Sequence, residues 1–145
     1  MEKNLSFLIL VIFVVQSRLY TPKKYSSIGY NCGGSYYLSI TEFNVWPWPV
    51  QPGDDMKIQV VGVFNRAETV DYIATGQDLN HDQWIYNITD IGQTFSVNQI
   101  GTFNTSAQAG TASGCYNIQV TLKGPKPEDT YLACWSFSYE LYNID

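Results

Sequence analysis

The sequence has little charge and less catalytic chemistry. Of its 145 residues, 8 are Lys or Arg and 13 are Asp or Glu, a net charge of −5. No basic cluster occurs, which removes the electrostatic basis for gripping a nucleic-acid backbone or an anionic membrane surface. Nucleic acid is therefore not an expected partner. There is one histidine, His81. It sits beside Asp82, but no G-x-S-x-G nucleophile elbow accompanies it, and it reads as a solvated loop residue. No glycine-rich phosphate loop and no zinc-type spacing is present. No apolar run reaches the ~20 residues that span a bilayer. No helix-length segment repeats apolar residues at i, i+3, i+4 and i+7. The expectations are no catalytic residues, no cofactor and no metal.

An export signal stands at the N-terminus. Lys3 precedes an apolar run from Leu5 to Val15, broken by Ser6, and Val15-Gln16-Ser17 offers a cleavage site near Ser17. Residues 1–17 are read as a signal peptide and 18–29, with Pro22, Lys23 and Lys24, as a loosely held arm. The domain follows at 30–145. The expected destination is the cell exterior or the lumen of an endosome, lysosome or vacuole. Two sequons, Asn87-Ile88-Thr89 and Asn104-Thr105-Ser106, mark Asn87 and Asn104 as candidate glycosylation sites.

Aromatics are abundant, with 4 Trp, 11 Tyr and 7 Phe, and they fall into period-two patterns. Met56, Ile58 and Val60 alternate with Lys57 and Gln59. Tyr116, Ile118, Val120 and Leu122 alternate with polar neighbours, as do Ala133, Trp135, Phe137, Tyr139 and Leu141. One apolar and one polar face is the mark of antiparallel sheet laid against a core. Further strands are expected at 37–45, 69–74, 83–88 and 94–103. About seven short strands make an all-β, two-sheet antiparallel sandwich of immunoglobulin-like type. Polar residues 78–82 and the small-residue stretch 108–114 are read as loops, the second of them mobile.

Between the first two strands lies Trp46-Pro47-Trp48-Pro49-Val50-Gln51-Pro52-Gly53. Proline has no amide to donate, so this run forms a corner and not a central strand, with Pro52-Gly53 suited to a tight turn. Trp46 and Trp48 either project as docking groups or pack on the sandwich edge.

Three cysteines in an exported chain leave one unpaired. With the last hairpin centred near Lys126, Cys134 falls opposite residue 119 and Cys115 opposite 138. The two are then roughly 13 Å apart along the strand, beyond the ~7 Å a disulfide tolerates. Cys32–Cys134 is the expected bridge, with Cys115 the odd thiol. Asp78 to Asp82 copies the start of a calcium loop, but Gln83 and Thr89 replace the required glycine and glutamate. Glu42 is expected to point outward at a strand bulge, or to pair with Lys or Arg.

Tyr30-Asn31-Cys32, Trp46-Pro47-Trp48-Pro49 with Pro52-Gly53, Ser113-Gly114-Cys115-Tyr116-Asn117-Ile118 and Leu132-Ala133-Cys134-Trp135 stand in an order that resembles the ML lipid-recognition family. That family includes Niemann–Pick-type sterol-transfer proteins and the ganglioside activator. The chain departs from it between Gln99 and Ala112, where relatives carry a Cys-Pro segment and this sequence has neither residue. The resemblance implies a monomeric lipid-binding and lipid-transfer protein holding a sterol, phospholipid or glycolipid between its sheets. The implied wall is Phe43, Val45, Met56, Ile58, Val60, Phe64, Tyr72, Trp84, Tyr86, Tyr116, Ile118, Val120, Trp135, Phe137 and Tyr139, with tyrosine hydroxyls near the mouth for a polar headgroup. An activator that presents lipid to a hydrolase, or a recognition protein for microbial lipid or a receptor, uses the same fold. The residues themselves leave open whether the interior is hollow or filled.

Overall fold

The computed structural model describes residues 25–26, 28–32 and 37–142. The expected signal segment 1–17 and the larger part of the arm lie outside them. The described residues form nine strands: β1 (Tyr25–Ser26), β2 (Tyr30–Asn31), β3 (Leu38–Trp46), β4 (Asp55–Phe64), β5 (Glu68–Leu79), β6 (Ile85–Phe95), β7 (Ile100–Gln108), β8 (Gly114–Lys123) and β9 (Tyr131–Leu141). The seven long ones, β3 to β9, match the number expected. They form two antiparallel sheets, ordered β1-β3-β4-β7 and β2-β9-β8-β5-β6. Part of the expected arm is a strand, with Tyr25–Ser26 pairing with Val45 and Asn44.

Strict alternation places the inner faces. Met56, Ile58, Val60 and Phe64 of β4, and Ile118, Val120 and Leu122 of β8, are all essentially inaccessible to solvent. These strands were legible because their inward side chains recur at every second position; at the end of β8, Thr121 and Lys123 on the other face are buried as well. The corner before β4 closes on a Gln51–Asp54 turn, with the Asp54 N–H donating to the Gln51 carbonyl at 3.1 Å and Gly53 at φ +77°. Pro at the second position and a left-handed Gly at the third suit that geometry.

Several boundaries differ from expectation, among them β6, expected over 83–88 and found over Ile85–Phe95. The stretch 94–103 is not one strand: β6 ends at Phe95 and β7 starts at Ile100. Asn98 adopts φ +63° between them, and the Gln99 N–H donates to the Ser96 carbonyl at 3.1 Å. Asn tolerates that left-handed conformation, while Val97 continues the apolar pattern and hides the turn. β5 runs on to Leu79 and takes Asp78 out of the expected loop. Asp78 is buried because its carboxylate accepts the backbone and side-chain N–H groups of Asn117 at 3.2 and 2.9 Å.

The stretch 108–114 is also pinned, contrary to the mobility expected of it. The Ala109 N–H donates to the Asp54 carbonyl at 2.7 Å, and the Tyr116 hydroxyl donates to the Ala112 carbonyl at 3.0 Å. Cys32 and Cys134 are bridged, with Cα atoms 5.2 Å apart, and Cys115 is the free, half-buried thiol.

Candidate functional site

The expected wall residues divide by strand phase. Phe43, Val45, Met56, Ile58, Val60, Phe64, Tyr116, Ile118, Val120, Phe137 and Tyr139 are buried between the sheets, and half-buried Trp135 packs with them. Tyr72, Trp84 and Tyr86 do not face the interior. The β5–β6 register breaks between Val70/Gln93 and Tyr72/Asp90, and the extra residue lies in β6 at Ile91–Gly92, where Gly92 takes φ +61°. Across this irregularity the buried positions of β5 change phase, from Val70 to Ile73 and Thr75, and Tyr72 falls on the outer face beside Lys123.

Tyr86 pairs with Gly76 on the outer face. Its ring and that of Trp84, stacked at 6.1 Å, lie over that glycine. A Cβ there would come within 2.7 Å of the Tyr86 ring, so the aromatic cover and the glycine require one another.

The inner space among the described residues is occupied by rings. Phe43 stacks on Trp135 at 5.6 Å and packs against Phe137 at 5.7 Å. Phe64, Phe95 and Phe103 cluster at the other end, with Phe64 and Phe95 stacked at 4.5 Å. Trp48, half-buried, meets Phe137 edge-on at 6.3 Å, so of the two alternatives it takes the packed one. Trp46 does project, with 40% of its surface exposed.

One side of the sandwich is different. Where β6 faces β7, the sheets meet through hydroxyls: Thr75 and Thr89 each share a hydrogen bond with Thr105, at 3.0 and 3.2 Å. Beside these threonines a cleft of about 430 Å³ opens between the sheets. Sheet β1-β3-β4-β7 contributes Asp55, Ser106, Ala107 and Gln108 to it; the other sheet contributes Thr75, Gln77, Ile85, Tyr86 and Asn87. Just inside, the Tyr139 hydroxyl donates to Gln77 at 3.4 Å and accepts the Gly110 N–H at 3.3 Å. Burial pushes its phenol up to about 12. Ile85 at 73% and Tyr86 at 59% exposure border the cleft, while Trp84 at 38% stacks on Tyr86 and Ile88 at 52% is exposed further along β6. The threonines were missed in the sequence, although Thr105 alternates in phase with buried Phe103.

Other polar groups serve the frame. Tyr72 donates to the Asp129 carboxylate, which also accepts from Lys123 at 3.1 Å. That bond to Asp129 raises the Tyr72 phenol to about 12, while Tyr72 and Lys123 hold the Asp129 carboxyl below its usual range. His81 is exposed, and its near carboxylate is Asp78 at 3.7 Å, not Asp82. Glu42 points outward beside a bulge at Ile40/Glu42, as expected. Asn87 and Asn104 are both exposed on strands.

In fold the chain is similar to the C-terminal domain of Wzt, with a TM-score of 0.63 at 11% identity over 87% of this chain and 82% of that one. It is also similar to a Niemann-Pick type C2 protein from Japanese carpenter ant, with a TM-score of 0.58 at 6% identity over 80% of this chain and all of that one. No family model and no curated protein matches the sequence. At such identities the likeness is one of fold alone.

Proposed function

We propose that this chain is an exported, non-catalytic lipid carrier of the ML type, which admits its ligand through the β6–β7 side of the sandwich. The observation that carries the reading is the cleft, where hydroxyls and not rings close the path to an apolar interior. Its volume falls in the range of about 300–1,000 Å³ typical of small-molecule sites. A lipid tail passing inward exchanges water for apolar contacts at ~0.8 kcal/mol per CH₂. The aromatic side chains that fill the interior must then yield to it by rotation or by parting of the sheets. Thr75, Gln77 and the Tyr139 hydroxyl stand where a headgroup or sterol hydroxyl would rest.

Sequence order and fold both favour this reading, through the ML resemblance and the likeness to a Niemann-Pick type C2 protein. The disulfide and the two sequons favour export, because such bridges persist in oxidising compartments. The carrier acts as a monomer, and lipid passes from a donor membrane or partner to an acceptor. A second reading, in which the protein presents lipid to a hydrolase or a receptor, draws on the exposed Ile85 and Tyr86 at the cleft and on Trp84 stacked on Tyr86. That group replaces the Trp46–Trp48 corner as the docking candidate.

The test uses the full chain from a secretory host. Organic extraction and mass spectrometry should find bound lipid, and the protein should take up a fluorescent sterol or phospholipid. Ala107→Trp, which fills the cleft, should slow that uptake. No extracted lipid together with no uptake would discard the carrier reading.

A further inference from the structure

The outer face of sheet β1-β3-β4-β7, away from the lipid path, holds a second depression of about 530 Å³. Its floor is a row of three carboxamides drawn from three strands. Asn44, Gln59 and Asn104 are cross-strand partners in register. The Asn44 Nδ2 donates to Gln59 at 3.4 Å, and the Gln59 Nε2 donates to Asn104 Oδ1 at 3.2 Å. Trp46, exposed at 40%, and Lys57 pair in the adjacent row. Lys57 is ion-paired with Asp55, so the depression carries no net charge from this pair.

This is an unusual lining. A purely structural outer face needs neither an exposed indole nor a run of amides. Planar carboxamides present a donor and an acceptor in one plane, which matches neighbouring hydroxyls on a ring. An exposed indole offers a broad apolar face with a polar edge, which suits the C–H face of a pyranose. The floor row itself carries no charge, and the charged group in the lining, Lys57, is held by Asp55. We infer that this depression is a binding site for a neutral saccharide, with Trp46 as the stacking platform and Gln59 and Asn104 as the hydroxyl-reading pair.

Two sources supply that chemistry. One is an oligosaccharide from outside. The other is the chain's own glycan, since Asn104 begins a sequon. In that case Nδ2 loses one proton and takes the anomeric carbon of an oligosaccharyl pyrophosphate lipid, whose pyrophosphate leaves. The Oδ1 that accepts from Gln59 is untouched by this. Asn104 stands two strands and two residues from Trp46, on the order of 12 Å between Cα atoms at ordinary sheet spacings. A disaccharide rooted at Asn104 bridges that distance.

The full chain is made in a bacterial periplasm, without N-glycans, and in a secretory host, with them. The unglycosylated form is titrated with chitotriose, maltotriose and mannotriose while the Trp46 indole N–H is followed by NMR. An external ligand gives a saturable shift with one of the three, weakened about tenfold, or ~1.4 kcal/mol, in Trp46→Ala and in Gln59→Ala. The glycosylated form is treated with a peptide N-glycosidase. If its own glycan lies in the groove, removal from Asn104 is about tenfold slower in the parent than in Trp46→Ala, the same energy step. Thermal melts establish that each variant is folded. Saturable binding supports an external source, and protection without binding supports the chain's own glycan. Neither effect in the folded parent protein overturns the site.

Discussion

The two long sides of the sandwich, where β3 faces β9 and where β6 faces β7, are closed by different chemistry. On the first, Phe43 stacks on Trp135, Phe137 sits beside them, and Trp48 packs against Phe137. The Trp135 indole N–H donates to the Ile28 carbonyl at 2.8 Å. The Cys32–Cys134 bridge fixes the segment following β2 to β9 close by. On the second, three threonine hydroxyls reach across, and a cleft lies next to them. Ring packing must be lost before water replaces it, whereas a hydroxyl pair trades one polar partner for another at little net cost. The proposed carrier role needs one side that holds and one that parts, and the aromatics and threonines are distributed in a way that suits it.

Emptying the closed side should have the largest effect. Phe43→Ala removes a fully buried ring that touches Trp135 and Phe137, and should cost about 3–5 kcal/mol. Denaturant unfolding with an unchanged slope would measure it. A loss as small as that of a surface substitution would mean that this side is no tighter than the other.

Unlinking it comes next. Cys32→Ser or Cys134→Ser opens a bridge with a sequence separation of 102 and should cost about 2–5 kcal/mol. Cys115→Ser, at the half-buried free thiol, should be nearly neutral. Secretion yield and urea midpoints report both. A Cys115→Ser variant as impaired as the others would contradict the pairing.

The open side should respond less in stability and more in exchange. Thr105 Oγ1 serves both Thr75 and Thr89. Thr105→Val keeps the shape, deprives both partners, and should cost about 1–3 kcal/mol. If ligand enters here, fluorescent-lipid uptake should become faster in the same variant. Unchanged or slower uptake would move the entrance elsewhere.

The fold was legible where one face of a strand is wet and the other dry, as in β4, β8 and β9. It was obscured where a single residue breaks the phase. The register break between β5 and β6 at Val70/Tyr72 left Tyr72 outward, and Val97 masked the turn between β6 and β7. In the last hairpin, Cys134 lies opposite Thr121 and Cys115 opposite Glu140, not residues 119 and 138. The turn is centred further along than Lys126, but a shift of two residues preserves the faces. For that reason the bridge expected from the sequence is the one that forms. The cleft was not legible, because threonine suits strands on either face and its cross-sheet bonds depend on tertiary placement.

The smallest effect belongs to the hydroxyl just inside the open side. Tyr139 makes two long hydrogen bonds, to Gln77 and from Gly110, so Tyr139→Phe should cost only about 0.5–1.5 kcal/mol at neutral pH. Its pH signature is sharper than its energy. Burial raises the phenol to about 12, against about 10 for an unfolded tyrosine. Between those values the unfolded chain has released the proton and the folded chain still holds it. Stability from this group is therefore complete below about pH 10 and falls as pH rises toward 12. Tyr72, also near 12 through its bond to Asp129, loses stability over the same window from the outer face. Tyr139→Phe should remove one of these two alkaline components and leave the other, which Tyr72→Phe should remove in turn. Unfolding free energies measured from pH 8 to 12 decide it. An alkaline slope unchanged by Tyr139→Phe would mean that water already reaches this hydroxyl and that the open side is wider than the cleft alone.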